Sequence, residues 1–130
     1  MVKFALNKDN NEVELILNEE ILKEFENNDK FVILKANSTD AAGEKHVPVI
    51  EQNGQNVLVK VGSVEHPMLE NHYIKFIVLE TKNHVIRVDL TPNDKPVANF
   101  ILEDGDEVVN AYELCNLHGL WSNKWLKSKF

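Results

Sequence analysis

From residue 57 to residue 115 the apolar residues come in five short stretches, each closed by a polar turn. They are 57–61 (VLVKV), 73–79 (YIKFIVL), 85–90 (VIRVDL), 98–102 (ANFIL) and 108–115 (VVNAYELC). Residues 85–90 alternate apolar and charged side chains with period two, the mark of a strand with one buried face. Asn53-Gly54, Lys82-Asn83 and Glu103-Asp104-Gly105-Asp106 punctuate the stretches as turns. Strands of this length and spacing predict an all-β chain, an immunoglobulin-like antiparallel β-sandwich.

The first 36 residues read differently. Asn18 stands before Glu19 and Glu20, which predicts an N-capped short helix running to Glu26 with acids in its first turn. Ile21, Leu22 and Phe25 share one face of it. Residues 1–36 are therefore expected to form a small N-terminal module containing a short helix. The boundary falls near Ala36-Asn37-Ser38-Thr39, and residues 37–130 form the sandwich.

Charge narrows the function. Fourteen basic residues face 21 acidic ones, for a formal net charge of −7. Nucleic acid wants a basic surface, so it is not an expected partner. A small anionic substrate would need a local positive patch. No apolar run approaches the roughly 20 residues of a membrane span. The start, MVKFALNKDNNEVEL, lacks the apolar core of a secretory signal, so the expected location is cytoplasmic. The basic C-terminal stretch from Lys124 to Phe130 reads as a packed or frayed tail, with a dimer contact as the alternative.

Cys115 is the single cysteine, which excludes an intrachain disulfide and any multi-cysteine zinc or iron–sulfur cage within one chain. His118 follows it by three residues, a spacing that is weak evidence alone. His66 precedes Pro67, which biases its backbone to an extended corner and can aim the ring at a loop-built site. His46 lies in Glu44-Lys45-His46-Val47-Pro48, and His72 opens an apolar stretch. His84 reads as an exposed turn residue. Imidazole and thiolate together suit iron, copper, nickel or zinc, whereas calcium and magnesium want oxygen. Blue copper, with Met68 as the weak ligand, and a zinc site stay open on residue types alone.

The residues 37–63, NSTDAAGEKHVPVIEQNGQNVLVKVGS, together with His66-Pro67-Met68-x-x-x-His72-Tyr73-Ile74 and 112–121, YELCNLHGLW, resemble the superoxide reductase (desulfoferrodoxin, neelaredoxin) family. The likeness runs from about residue 31 to 124. It implies a seven-stranded immunoglobulin-like sandwich. It also implies one mononuclear iron held by His46, His66, His72 and His118 in a plane and by Cys115 on the axis. Lys45 matches the family's lysine beside the iron, and Glu44 its mobile glutamate, which ligates the oxidised metal. The implied reaction is the one-electron reduction of superoxide to hydrogen peroxide, with rubredoxin as donor and a homodimer as the assembly. The backbone N–H groups of Asn116 and Leu117 are candidate donors to the sulfur. Tyr112, Trp121 and Trp125 are expected to serve packing.

One departure stands out. Longer family members carry a second iron on four cysteines in a desulforedoxin-like module. Those positions fall here on Asn7, Asn10, Glu26 and Asn27, none of which supplies thiolate. One iron per chain is therefore expected, with residues 1–36 as such a module without its metal.

Overall fold

In the computed structural model, which describes residues 1–126, the helix signal at Asn18 is realised as α1, Glu19–Glu26. The Asn18 side chain accepts from the Ile21 N–H at 2.9 Å and so satisfies one of the free donors at the helix start. Around α1 lie three short antiparallel strands, β1 (Lys3–Asn7), β2 (Val13–Ile16) and β3 (Phe31–Ile33), in the order β2-β1-β3. Leu22 buries against Ala5 and Ile16, with Phe25, Phe31 and Ile33 packed on them. The Phe25 and Phe31 rings meet edge-on at 4.6 Å. Ile21, expected on the buried face, is 37% exposed. Asparagines punctuate this unit: the Oδ1 atoms of Asn7, Asn10 and Asn28 accept the N–H of Asp9, Glu12 and Lys30 respectively.

The chain divides into two compact units, Met1–Lys35 and Ala36–Phe130. The second begins with a single helical turn, α2 (Gly43–His46), followed by β4 (Pro48–Asn53), β5 (Asn56–Val61), β6 (Ile74–Thr81), β7 (Val85–Asp89), β8 (Val97–Ile101), β9 (Val108–Cys115) and β10 (Gly119–Lys124). These seven strands form two antiparallel sheets, β10-β9-β6-β7 and β4-β5-β8. Alternate residues of each point into one shared core: Val57, Val59 and Val61 from β5, Ile77 and Leu79 from β6, Ala98 and Phe100 from β8, Ala111 and Cys115 from β9. This is the immunoglobulin-like sandwich expected.

The five strands read from the sequence agree with β5 to β9 within two residues. Strands β4 and β10 were not legible. Each is apolar over its first half only, β4 ending in Glu51-Gln52-Asn53 and β10 in Ser122-Asn123-Lys124, so neither carries a period-two pattern along its length. Residues 127–130 of the basic tail lie outside the described residues. Among the described residues no helix is long and apolar enough to cross a membrane.

Candidate metal centre

The strand registers bring three loops to one end of the sandwich. Pro48 of β4 pairs with Val61 of β5, and Cys115 of β9 pairs with both Ile74 of β6 and Gly119 of β10. Every candidate ligand lies on these loops or at their strand ends. His46 closes α2, His66 and His72 lie between β5 and β6, and Cys115 and His118 flank the β9–β10 turn. Gly119 ends that turn at φ +80°, a conformation that would strain other residues.

The four rings form a closed cycle. Centroids of His46 and His66 are 4.8 Å apart, His66 and His72 4.7 Å, His72 and His118 5.2 Å, and His118 and His46 4.9 Å. Each neighbouring pair is nearly perpendicular, with interplanar angles of 74° to 86°. One donor atom from each of His46, His66, His72 and Cys115 lies within 4.8 Å of the others. Cys115 Sγ is 3.5 Å from His66 Nε2 and 3.8 Å from His118 Nδ1, which brings the fifth donor to the same point. His84 stands apart, exposed and paired with Glu103 at 3.0 Å.

Backbone carbonyls orient the rings. His46 Nδ1–H donates to Ala42 O at 2.8 Å and His66 Nδ1–H to Pro67 O at 2.7 Å, so each turns Nε2 inward with its lone pair. The Nε2 atoms of His46 and His72 are buried and make no hydrogen bond. Unpaired buried nitrogens are costly unless something occupies the space they face. Burial lowers the pKa of His46 and His72, and brings His66 to about 4, so all three are neutral at pH 7. Burial pushes the Cys115 thiol up, and the N–H groups of Leu117 and His118 pull it back. Leu117 serves the sulfur as expected and His118 joins it, whereas Asn116 does not, because its N–H is taken by Tyr73 O at 3.2 Å.

The donor set fits a metal ion. Four imidazoles and one thiol exceed the four ligands of a closed zinc site and the two-histidine plan of blue copper, and they suit iron. Met68 is unavailable for the copper plan, since its Sδ accepts the Ile74 N–H at 3.4 Å. Glu44 and Lys45 are exposed on α2, directly before His46. Lys45 shares the wall of a cleft of about 450 Å³ with His66, Met68 and Lys95.

Residues 38–124 match the desulfoferrodoxin family. This chain belongs to the desulfoferrodoxin family. Family relatives make the extent of the likeness concrete. A desulfoferrodoxin of Syntrophotalea carbinolica is 51% identical over 92 residues, 71% of each chain. A superoxide reductase of Pyrococcus furiosus is 36% identical and matches 67% of this chain and 91% of its own. The crystal structure of the superoxide reductase from Treponema pallidum superposes with a TM-score of 0.82 at 36% identity, covering 95% of this chain and 99% of that one.

Several supporting residues escaped the sequence reading. Trp121, expected only to pack, stacks on the His46 ring at 5.1 Å and donates from Nε1 to His118 O at 3.1 Å. Asn116 ties two ligand loops: its Oδ1 accepts from Tyr73 N–H at 2.9 Å and its Nδ2 donates to Asn71 O at 3.1 Å. The Thr39 hydroxyl donates to His118 O. The register of β10 against β9 was the missing signal for Trp121, because pairing with Glu113 turns it to the core side.

Proposed function

We propose that this protein is a superoxide reductase, which converts superoxide, one electron and two protons to hydrogen peroxide at one mononuclear iron per chain. The observation that carries the reading is the closed cycle of four imidazoles with a buried thiol against it. His46, His66, His72, His118 and Cys115 are the iron ligands in this reading. An iron held by these five residues would supply the electron to a small anion that reaches the site. The protein's own groups do the remaining work. The rings of His46, His66 and His72, kept neutral by burial, offer lone pairs without competing protons. The N–H groups of Leu117 and His118 spread the charge of the sulfur. Lys45 gives a chain of net charge −7 a local positive field that draws in the anion. Its ammonium also orders a water that delivers protons. Glu44, exposed beside it, would be the carboxylate that covers the site.

The electron donor in this reading is a rubredoxin-like protein that reaches the iron directly, since positions 7, 10, 26 and 27 hold no thiolate. Residues 1–36 are a desulforedoxin-like module without its metal, residues 37–130 the catalytic sandwich. The assembly is a homodimer in the cytoplasm.

Metal analysis with anaerobic pulse radiolysis of the ferrous protein tests the function. One iron per chain, oxidised rapidly by superoxide with peroxide and no dioxygen released, is the expected result. A zinc protein, or iron that superoxide leaves ferrous, would overturn it. Reduced rubredoxin should restore the ferrous state, and failure while another donor succeeds would remove rubredoxin from the account.

A further inference from the structure

The turn that carries Glu44, Lys45 and His46 leans on the exit of β5. A Cβ placed on Gly62 would stand 2.6 Å from Glu44 O, 3.0 Å from the Lys45 carbonyl carbon and 3.0 Å from Val47 O. All three are backbone atoms, so no side-chain rotation relieves the overlap. The next two residues grip the same carbonyl. Val64 N–H donates to Glu44 O at 2.9 Å, and the Ser63 hydroxyl donates to it at 3.3 Å. Gly62 N–H closes the turn onto Val64 O at 3.2 Å, and His66 N–H returns to Val61 O at 2.8 Å.

The turn so gripped holds itself weakly. Helix α2 has four residues, no side-chain N-cap at Ala42, and the bonds Lys45 N to Ala42 O (3.2 Å) and Val47 N to Gly43 O (2.8 Å). One turn of helix fixes several dihedrals for very few hydrogen bonds and is unstable alone. Glu44 and Lys45 are exposed, so their side chains add little packing. The backbone of 44–47 is therefore set by what it packs on, and Gly62, Ser63 and Val64 lie against the carbonyls of Glu44, Lys45 and Val47.

We propose that Gly62-Ser63-Val64 is a positioning clamp that fixes the backbone of Glu44 and Lys45, and with it the Lys45 ammonium and the His46 ring, relative to His66. The part concerning Lys45 rests on the superoxide reductase reading; the part concerning His46 rests on geometry alone. Gly62 and Ser63 touch no reacting atom. They act through the turn they hold, which leaves the Lys45 side chain free on an anchored Cα.

Gly62→Ala and Ser63→Ala in the full chain test the clamp. In the metal-free protein the amides of Lys45 and Val47 should exchange hydrogen about fivefold faster in Ser63→Ala, the effect of one lost hydrogen bond, while β9 amides keep their rates. Gly62→Ala should exchange faster still and bind zinc, used as a redox-silent probe, more weakly than the parent chain. In the iron-loaded protein Ser63→Ala should keep the visible absorption band yet react with superoxide about threefold more slowly, and it should cause no further slowing in a Lys45→Ala background. Unchanged exchange at Lys45 and Val47 in Ser63→Ala would overturn the clamp, whether or not Gly62→Ala folds. Equal slowing by Ser63→Ala with and without Lys45 would overturn its action through Lys45. If the iron is not oxidised by superoxide at all, the functional reading fails, and the exchange and zinc results still decide the clamp.

Discussion

Cys115 Sγ and His66 Nε2 stand 3.5 Å apart although 49 residues separate them in the chain. Both groups are buried, and His66 is held from behind by the Pro67 carbonyl. The thiol and the imidazole lone pair thus converge on a point where a cation serves both.

Cys115→Ser replaces a soft ligand with a hydroxyl that stays protonated at pH 7. The iron-loaded variant should lose the thiolate-to-iron absorption in the visible and should hold less than one iron per chain. Absorption spectra with metal analysis check this, and a retained band would remove Cys115 from the ligand set.

His66 should make the metal-free protein acid-sensitive. Its pKa is depressed from the usual 6.5 to about 4 by burial. Between those values the unfolded chain binds a proton that the folded chain refuses, so stability falls as pH is lowered through this window. His46 and His72, shifted the same way, add to it. Urea midpoints of the metal-free protein should drop from pH 7 to pH 4.5, and His66→Gln should flatten that drop.

Lys45→Ala should slow oxidation by superoxide about tenfold, because a steering charge near the site is lost from an acidic protein. Lys45→Arg should restore most of the rate. Rates measured across ionic strength decide the mechanism: salt should slow the parent chain more than the alanine variant.

Glu113 is fully buried on β9, and neither carboxylate oxygen has a hydrogen-bond partner. Burial raises its pKa well above the ordinary value. An acid shifted upward contributes stability that is complete below its unfolded pKa and is lost as pH rises toward the folded one. Glu113→Gln should therefore lose less stability than the parent between pH 5 and pH 8. Denaturation midpoints at the two pH values test it, and parallel losses would contradict the neutral carboxyl.

The N-terminal unit should stay folded without metal. Asn7 and Asn10 place amide oxygens, not thiolates, on the backbone N–H groups of Asp9 and Glu12. Treatment with a chelator should leave the exchange rates of β1 amides unchanged while loosening the loops around His46 and His72.

Much of this was readable along the chain. Strands β5 to β9 announce themselves because a buried face demands apolar residues at every second position. Helix α1 was legible from Asn18 and the two acids after it, a purely local signal. Strands β4 and β10, whose second halves are polar, and the three short strands of the N-terminal unit left weaker traces, since each offers few alternating apolar positions. The five histidines could be sorted only by motif. Nothing in composition separates His84, exposed in a hairpin, from His66, fully enclosed.

The sequence by itself determined the donor types, four imidazoles and one thiol in a fixed chain order, and the strand lengths that suit a sandwich. Only the tertiary structure decided that the four rings close into a cycle and that Asn116 ties the loop of His72 to the turn after Cys115. The tertiary structure also decided that Trp121 backs His46, and that Gly62 admits the backbone of Glu44 to within a Cβ's reach. The physical reason is range: turn and strand preferences are set by near neighbours, whereas convergence of residues 46, 66, 72, 115 and 118 follows from strand register across two sheets, which no local stretch encodes.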